Sequence, residues 1–203
     1  MRTNGIILAG GKSSRLGYNK ILETIGKRSL LQLVIERLSP LCDEIILVTA
    51  AEQAIPRFVS FPAPIIVKDI LPERGPLGGI YTGLNQSTSS YSLVVACDMP
   101  FLNRELLRYQ LQIAKDYDLV IPRIGNKIEA LHAVYARSCI SLIEQMLRQN
   151  RLSVQELSKM VRTRYVESDE IDRFDPEHLS FFNVNTRADL ARARKLVRKV
   201  DTP

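Results

Sequence analysis

Short apolar runs alternate along the chain with segments whose apolar residues repeat every three or four positions. Continuous apolar runs of strand length are typical of a parallel sheet that is covered by helices on both faces. The pattern predicts buried strands at Ile6–Leu8, Glu44–Thr49, Ile65–Lys68, Leu93–Cys97 and Leu119–Ile121, the last of them ended by Pro122. Further strands are predicted at Leu131–Tyr135 and at Phe181–Asn185.

Helical spacing fills the intervals between these strands. It predicts helices over Leu30–Leu38, from Gly75 toward Leu84, from the N-cap Asn103 to Ala114, over Ile140–Leu147 and over Thr186–Val200, the last capped by Asn185 or Thr186. Alternating strands and helices predict an α/β fold, a doubly wound and mostly parallel sheet flanked by helices. No repeat or long linker interrupts the pattern, so we expect one domain over residues 1–203.

Composition and charge narrow the class of protein. Hydrophobic residues are 45% and charged residues 25% of the 203 positions, as in an ordinary globular protein, and the formal net charge is +6. No apolar run approaches the roughly 20 residues of a membrane span. The three cysteines, Cys42, Cys97 and Cys139, are scattered, and no signal peptide precedes the first strand. We therefore expect reduced thiols and a cytoplasmic location.

The loop after the first strand has the composition of a phosphate-binding loop. Gly10 and Gly11 allow backbone N–H groups to approach an anion closely, and Lys12, Arg15 and Lys20 supply positive charge. A flexible turn with solvated cations is the alternative. The spacing excludes two known motifs. A P-loop ending in Gly11-Lys12-Ser13 needs glycine in place of Ile6, and one starting at Gly5 needs lysine in place of Gly11; no Gly-x-Gly-x-x-Gly is present in the loop.

Two further polar loops follow predicted strands, with Asp69 after one and Asp98 after another. In open parallel sheets, ligands bind beyond the carboxyl ends of the strands, at the switch point of the strand order. The loops after Leu8, Lys68 and Cys97 therefore point to a single site. A carboxylate such as Asp98, facing bound phosphates, suits Mg²⁺; the alternative for both aspartates is a turn residue.

The loop sequence Leu-Ala-Gly-Gly-x-Ser-x-Arg-x-Gly-x-x-Lys at residues 8–20 resembles that of nucleotidyltransferases, and most of all the molybdenum cofactor guanylyltransferases of the MobA type. Further matches follow in the family's order. They are Gly75–Ile80, Cys97–Leu102, Glu129–Tyr135 and Phe182–Thr186, so the resemblance runs from about residue 5 to 195. It implies transfer of GMP from GTP to the terminal phosphate of Mo-molybdopterin, with release of pyrophosphate, to form the molybdopterin guanine dinucleotide cofactor.

The resemblance also implies roles for individual residues. It assigns catalysis to Arg15, Lys20 and Asp98, with Mg²⁺ on Asp98. It assigns nucleotide binding to Leu8, Ala9, Gly10, Gly11, Lys20, Asp69, Gly75, Gly78 and Asp98, and the acceptor side to Asn183 and Asn185. Partners implied are GTP and Mo-molybdopterin, with molybdoenzymes or cofactor-handling proteins as further candidates, and neither nucleic acid nor a membrane.

The chain departs from the family at Asn19, where an aspartate usually precedes the lysine. Asparagine keeps the shape and hydrogen bonding without the charge, so this position is expected to orient the loop without binding metal. Helix packing is the alternative role for the glycines of residues 75–79. His132 is expected to be structural, and His178 to lie at the surface.

Two other functions stay open at this point. A related enzyme would use CTP with molybdopterin, or another nucleoside triphosphate with a different phosphorylated acceptor. A nucleic-acid-binding module is suggested by the basic C-terminal helix, which carries Arg187, Arg192, Arg194, Lys195, Arg198 and Lys199. Those cations are spread around the helix among Ala, Leu and Val, which favours a solvated helix with one packed face.

Overall fold

The computed structural model describes residues 2–9, 22–50, 55 and 63–200. Ten strands lie within these residues: β1 (Thr3–Leu8), β2 (Thr24–Ile25), β3 (Arg28–Ser29), β4 (Glu44–Thr49), β5 (Ile65–Lys68), β6 (Tyr91–Ala96), β7 (Leu119–Ile124), β8 (Lys127–Ile128), β9 (His132–Ala136) and β10 (Thr163–Val166). The main sheet has the order β10-β7-β9-β6-β1-β4-β5, with β8 paired to β7, and β2 and β3 form a separate hairpin.

Seven α-helices accompany the strands in the described part of the chain: α1 (Leu30–Leu38), α2 (Gly75–Gln86), α3 (Arg104–Gln112), α4 (Cys139–Arg148), α5 (Val154–Met160), α6 (Ser168–Ile171) and α7 (Arg187–Val200). A 3-10 turn covers Leu179–Phe181. Asn103 caps α3 as predicted, since its side chain accepts hydrogen bonds from the N–H groups of Glu105 and Leu106. Among these helices, none has the length and apolar character that a bilayer crossing requires.

Alternating side chains of β1 face two separate apolar layers. Ile7 packs with Leu31 of α1 and Leu106 of α3 on one face of the sheet. Ile6 packs on the other face, in a cluster that includes residues of α2, α4 and α5. Each buried aliphatic side chain contributes roughly 1.5–3 kcal/mol to folding. The predicted doubly wound α/β fold, with helices on both faces, is confirmed.

The strand order places the switch point between β1 and β6. The chain runs from β1 to β4 and β5 on one side, and β6 then pairs with the other side of β1, parallel in every case. Beyond the strand ends, the N–H of Cys97 donates to the carbonyl of Leu8 (3.1 Å), and the N–H of Ala9 donates to that of Val48 (2.8 Å). The carboxyl ends of β1, β4 and β6 therefore lie side by side.

Two strands of the described sheet run against the others. β9 is antiparallel to both β6 and β7, and the short β8 is antiparallel to β7, whereas β10 is parallel to β7. The sheet is thus mostly parallel, as predicted, and β8 and β9 make it mixed.

Pro122 does not end β7, which continues to Ile124, so that prediction was wrong. β9 pairs with β7 only at Leu119 and Val120. No carbonyl of β9 therefore stands opposite residue 122, and the missing N–H of the proline costs no hydrogen bond on that side.

The strand predicted at Phe181–Asn185 is also absent from the described chain. Phe181 ends the 3-10 turn, and the N–H of Phe182 donates back to the carbonyl of Leu179 (3.0 Å). The N–H of Val184 donates to the carbonyl of Asp98 (2.9 Å). The segment thus joins the loop after β6 by a backbone hydrogen bond instead of forming a ladder.

β5 is less buried than its continuous apolar sequence predicts. Ile65 is 40% and Ile66 is 50% exposed, because β5 is the last strand on its side of the sheet as far as the structure describes it.

Candidate functional site

A cleft of about 170 Å³ opens at the carboxyl edge of the sheet. Its lining comes from the ends of β1, β4 and β5, from the start of α2 and from Leu131 beside β9. Leu8, Asp69 and Gly75, three of the residues expected to bind nucleotide, line it together. Whole small-molecule sites usually measure about 300–1,000 Å³, so this cleft has room for one part of a nucleotide, such as its base.

Asp69 is held firmly at the edge of this cleft. Its N–H donates to the carbonyl of Thr49 (2.8 Å), which carries the pairing of β5 with β4 one residue further. Its Oδ1 accepts hydrogen bonds from the N–H of Leu71 (3.0 Å) and from the hydroxyl of Thr82 (2.8 Å). The carboxylate is therefore fixed in orientation before any ligand binds. Sequence reasoning missed Thr82, which lies one turn beyond Gly78 on α2.

The glycines at the start of α2 are required by its local geometry. Gly75 has φ +59°, a left-handed conformation that glycine adopts without steric cost. A Cβ on Gly78 would lie 2.6 Å from the carbonyl oxygen of Leu71, in the loop that leads into the helix. Glycine at these two positions thus shapes one wall of the cleft.

Two other glycines of α2 serve packing. A Cβ on Gly79 would lie 3.2 Å from Leu8 Cδ1, and one on Gly83 would lie 2.4 Å from Ile6 Cγ2. The helix therefore rests directly on β1 at both places. Of the glycines at residues 75–79, the packing alternative applies to Gly79, whereas Gly75 and Gly78 set the course of the loop.

Asp98 is half-buried and follows β6 at the switch point, one residue after the Cys97 N–H that bonds to the end of β1. No cluster of three or more His, Cys, Asp or Glu side chains able to hold a metal is present among the described residues. Mg²⁺ is commonly held by one or two carboxylates together with waters and substrate phosphates. The Asp98 carboxylate therefore fits a cation that arrives with a nucleotide.

The two asparagines expected on the acceptor side flank Val184, which bonds to the Asp98 carbonyl. Asn183 is half-buried, and its Nδ2 donates to the carbonyl of Phe181 (3.0 Å), whereas Asn185 is exposed. Thr186 is the residue that caps α7. Its Oγ1 accepts from the N–H of Asp189 (3.1 Å), and Asp189 Oδ2 accepts from the N–H of Thr186 (2.8 Å).

The predicted phosphate-binding residues are only partly within the described chain. Leu8 and Ala9 are buried at the end of β1. Gly10, Gly11, Arg15 and Lys20, together with Asn19, lie outside the described residues.

His132 is buried in β9 with no exposed surface, as expected of a structural histidine. Burial lowers its pKa to about 4, so the ring is neutral at physiological pH. Its Nε2 lies 3.0 Å from the hydroxyl of Ser180, and its ring centroid lies 4.7 Å from that of Phe181. His178 lies nearer the surface, with Nε2 2.7 Å from a carboxylate oxygen of Asp172.

A second cavity, of about 370 Å³, lies between α1, the start of α3 and α7. Its charged side chains already have protein partners. Arg28 pairs with Glu36 (2.7 Å), Arg104 donates to the Glu36 carbonyl (2.8 Å), and the carboxylate of Asp175 accepts two backbone N–H groups. This arrangement does not favour a phosphate site.

The basic C-terminal helix packs against the rest of the molecule. Leu190 and Ala193 are buried in a cluster with Val184. The guanidinium of Arg192 lies over the Phe182 ring, 5.1 Å from its centroid, and Arg194 Nε donates to the carbonyl of Thr24 (3.1 Å). These cations contribute to folding contacts, as expected of a helix with one packed face.

Comparison with known proteins shows which protein family the chain matches. The model of the MobA-like NTP transferase domain matches residues 5–167. The probable molybdenum cofactor guanylyltransferase of Pelotomaculum thermopropionicum is 36% identical over 194 residues, covering 96% of this chain and 93% of the relative. The molybdenum cofactor guanylyltransferase of Syntrophotalea carbinolica is 34% identical over 194 residues, covering 95% and 90%.

Solved structures agree with this result. Molybdopterin-guanine dinucleotide biosynthesis protein A from Archaeoglobus fulgidus is 27% identical with a TM-score of 0.81, covering 97% of this chain and 99% of that one. The 2-C-methyl-D-erythritol 4-phosphate cytidylyltransferase of Thermus thermophilus is 15% identical with a TM-score of 0.72, covering 98% and 100%, and shares the fold.

Proposed function

The chain belongs to the MobA-like NTP transferases, and we propose that within this family it is a molybdenum cofactor guanylyltransferase. It transfers GMP from GTP to the terminal phosphate of Mo-molybdopterin and releases pyrophosphate. The observation that carries the proposal is the arrangement of the carboxyl edge. Leu8, Asp69 and Gly75 line one cleft there, and Asp98 follows the neighbouring strand β6 at the switch point.

The proposed reaction needs no general base from the protein. An oxygen of the acceptor phosphate, already ionised, attacks the α-phosphorus of GTP, and the bond to the β-phosphate breaks, so that the electron pair leaves with pyrophosphate. Catalysis then depends on positioning and on stabilising negative charge. This is consistent with His132, which is buried and neutral and is used in a structural hydrogen bond.

Each half of the proposed site has its own residues. We assign the guanine base to the cleft beside Asp69, and the triphosphate to Leu8, Ala9 and the following loop with Gly10, Gly11, Arg15 and Lys20. Asp98 would hold Mg²⁺, which offsets charge on the phosphates when bound. Asn183 and Asn185 are assigned to the acceptor because their segment is bonded to Asp98 through Val184.

We also propose a cytoplasmic location. All three cysteines are free thiols, with Cys97 and Cys139 buried. Burial raises the pKa of Cys139 to about 12, so this thiol stays protonated at neutral pH. Free thiols are typical of a reducing compartment. Molybdoenzymes or cofactor-handling proteins are the proposed recipients of the product, and nucleic acid is not a proposed ligand.

Product identification tests the proposal. The purified protein is incubated with Mg²⁺ and Mo-molybdopterin, and with GTP, CTP, ATP or UTP in separate reactions. Mass spectrometry of the released cofactor is expected to give molybdopterin guanine dinucleotide with GTP and far less product with the others. A predominant cytosine dinucleotide would support the CTP-using alternative instead. The absence of a dinucleotide product with all four nucleotides would refute the proposed function.

A further inference from the structure

Ser180 joins three elements of the fold at one buried point. The residue has no exposed surface. Its N–H donates to Asp175 Oδ2 (2.7 Å), and its hydroxyl accepts from the N–H of Asn103 (2.6 Å) at the start of α3. The same hydroxyl lies 3.0 Å from Nε2 of His132 on β9.

The direction of the Ser180–His132 hydrogen bond follows from satisfying the buried groups. The Asn103 N–H already occupies one lone pair of the hydroxyl, and His132 Nε2 is the acceptor within reach for its proton. If Nε2 donated instead, the hydroxyl proton of Ser180 would lose this acceptor, and the lone pair of the buried Nδ1, which has no hydrogen-bond partner among the described residues, would be unsatisfied as well. With the proton on Nδ1, only that one N–H is unsatisfied, so the hydroxyl donates to Nε2 of a neutral His132.

His132 is in turn anchored to the sheet. In the antiparallel pairing of β6 with β9, His132 stands opposite Val95. Val95 precedes Asp98 by three residues in the chain. The carbonyl of His132 accepts a hydrogen bond from Nε2 of Gln110 on α3 (3.0 Å). The imidazole is thus a fixed point from which the position of Ser180 is set.

Two hydrogen bonds join the segment after β6 to the stretch that runs from Ser180, within the 3-10 turn, to Val184. One runs from the N–H of Val184 to the carbonyl of Asp98 (2.9 Å), and the other from the N–H of Asn103 to Ser180 Oγ (2.6 Å). The bond to Asp98 is made at Val184, and the bond to Asn103 is made at Ser180. Asn183 lies in the chain between Ser180 and Val184. A shift of Ser180 would therefore move the asparagines relative to Asp98.

We propose that His132 and Ser180 are positioning residues, which fix the Asn183–Asn185 segment against Asp98 so that the acceptor meets the bound nucleotide. The inference rests on the proposed function, because it names which residues align the two halves of that site. Neither side chain is assigned a contact with substrate. Their effect is expected in acceptor use and not in GTP use.

Steady-state kinetics of four variants tests the inference. Ser180→Ala removes the hydroxyl, and His132→Met removes the acceptor at similar volume. Both are expected to raise the KM for Mo-molybdopterin by about tenfold or more, with the KM for GTP within about twofold of wild type. His132→Gln, which keeps an acceptor near the position of Nε2, is expected to restore acceptor KM. Ser158→Ala, at another buried and hydrogen-bonded serine, is the matched control and should change neither KM.

Amide hydrogen exchange gives a readout that does not depend on activity. Ser180→Ala and His132→Met should speed exchange of the Val184 N–H by about tenfold, while that of Ile7 in β1 stays as in wild type. If Ser180→Ala fails to fold, the two His132 variants decide. If wild-type protein makes no dinucleotide, the proposed function fails, and exchange at Val184 alone decides the inference. Unchanged Val184 exchange, or equal rises in both KM values, would overturn it.

Discussion

The N–H of Val184 donates a hydrogen bond to the carbonyl of Asp98, 2.9 Å away. The bond joins the loop after β6 to the segment that leads into α7, two parts of the chain that are far apart in sequence. Val184 is also buried among the apolar residues that hold α7, so the contact is supported by packing. The two motifs expected to serve the metal and the acceptor are therefore neighbours in the fold.

Replacing the acceptor-side asparagines should weaken acceptor use selectively. Asn183→Ala and Asn185→Ala are each expected to raise the KM for Mo-molybdopterin by about tenfold, since a hydrogen bond to a charged group contributes roughly 1.5–3 kcal/mol. GTP affinity, measured by calorimetry, should stay within about twofold. Asn126→Ala, in the exposed turn between β7 and β8, is the control and should behave as wild type. A loss of GTP affinity with an unchanged KM for Mo-molybdopterin would contradict the assignment of the two asparagines to the acceptor.

A methyl group at Gly78 should damage the nucleotide cleft. Its Cβ would press on the Leu71 carbonyl at 2.6 Å and displace the loop that forms one wall. Gly78→Ala is expected to weaken GTP binding by about tenfold in calorimetry, because the wall residues no longer lie in place.

Gly83→Ala on the same helix is the matched comparison for Gly78→Ala. Its Cβ would meet Ile6 Cγ2 at 2.4 Å in the core, and overpacking of this kind costs about 1–3 kcal/mol of unfolding free energy. Urea denaturation should report that loss, while the folded variant binds GTP normally. Equal effects of the two substitutions on GTP affinity would contradict the assignment of the cleft.

Much of the sheet could be predicted because its central strands are buried on both faces. The bounds of β4 and β5 match the predicted ones residue for residue, and β1 and β6 begin only two or three residues before the predicted starts. The convergence of three loops at the carboxyl edge follows from the parallel strand order, which the alternation of strands and helices already implied.

The region beyond Arg162 could not be predicted in detail, because the pattern of apolar residues loosens there. β10 has three half-buried residues of four, and its Arg164 is held by an ion pair with Glu170 (2.6 Å) instead of by apolar packing. The segment at Phe181–Asn185 looked like a strand because its sequence is rich in apolar residues. Phe182 and Val184 pack with α7 and Phe101, whereas Phe181 packs against His132 of β9, so the segment is held by side-chain contacts and not by a ladder.

The hydrogen bonds that join Ser180 to His132 and Asn103 could not be predicted from the sequence either. The separation along the chain is 48 residues between His132 and Ser180 and 77 between Asn103 and Ser180. Only the fold brings these side chains together, and no local spacing marks them.

Folding stability should fall in mildly acidic solution because of His132. Burial lowers its pKa from 6.5 to about 4, so between these values the unfolded chain binds a proton that the folded chain excludes. The unfolding free energy is therefore expected to decrease as the pH falls from about 6.5 to about 4. Urea denaturation across this range should show a shallower decrease for His132→Gln than for wild type. Identical pH profiles would show that His132 is protonated in the folded state as well.

Pyrophosphate release by wild type and by Asp98→Asn tests the central claim most directly. Release is followed in the presence of Mg²⁺, GTP and Mo-molybdopterin, with Asp172→Asn, an exposed aspartate, as the control. Wild type and the control should release pyrophosphate only when GTP and acceptor are both present, and Asp98→Asn should be slower by about a hundredfold, as expected when one stabilising group is lost from a charged transition state. A folded Asp98→Asn variant that releases pyrophosphate at the wild-type rate would contradict the assignment of the reaction to the carboxyl edge of β1 and β6.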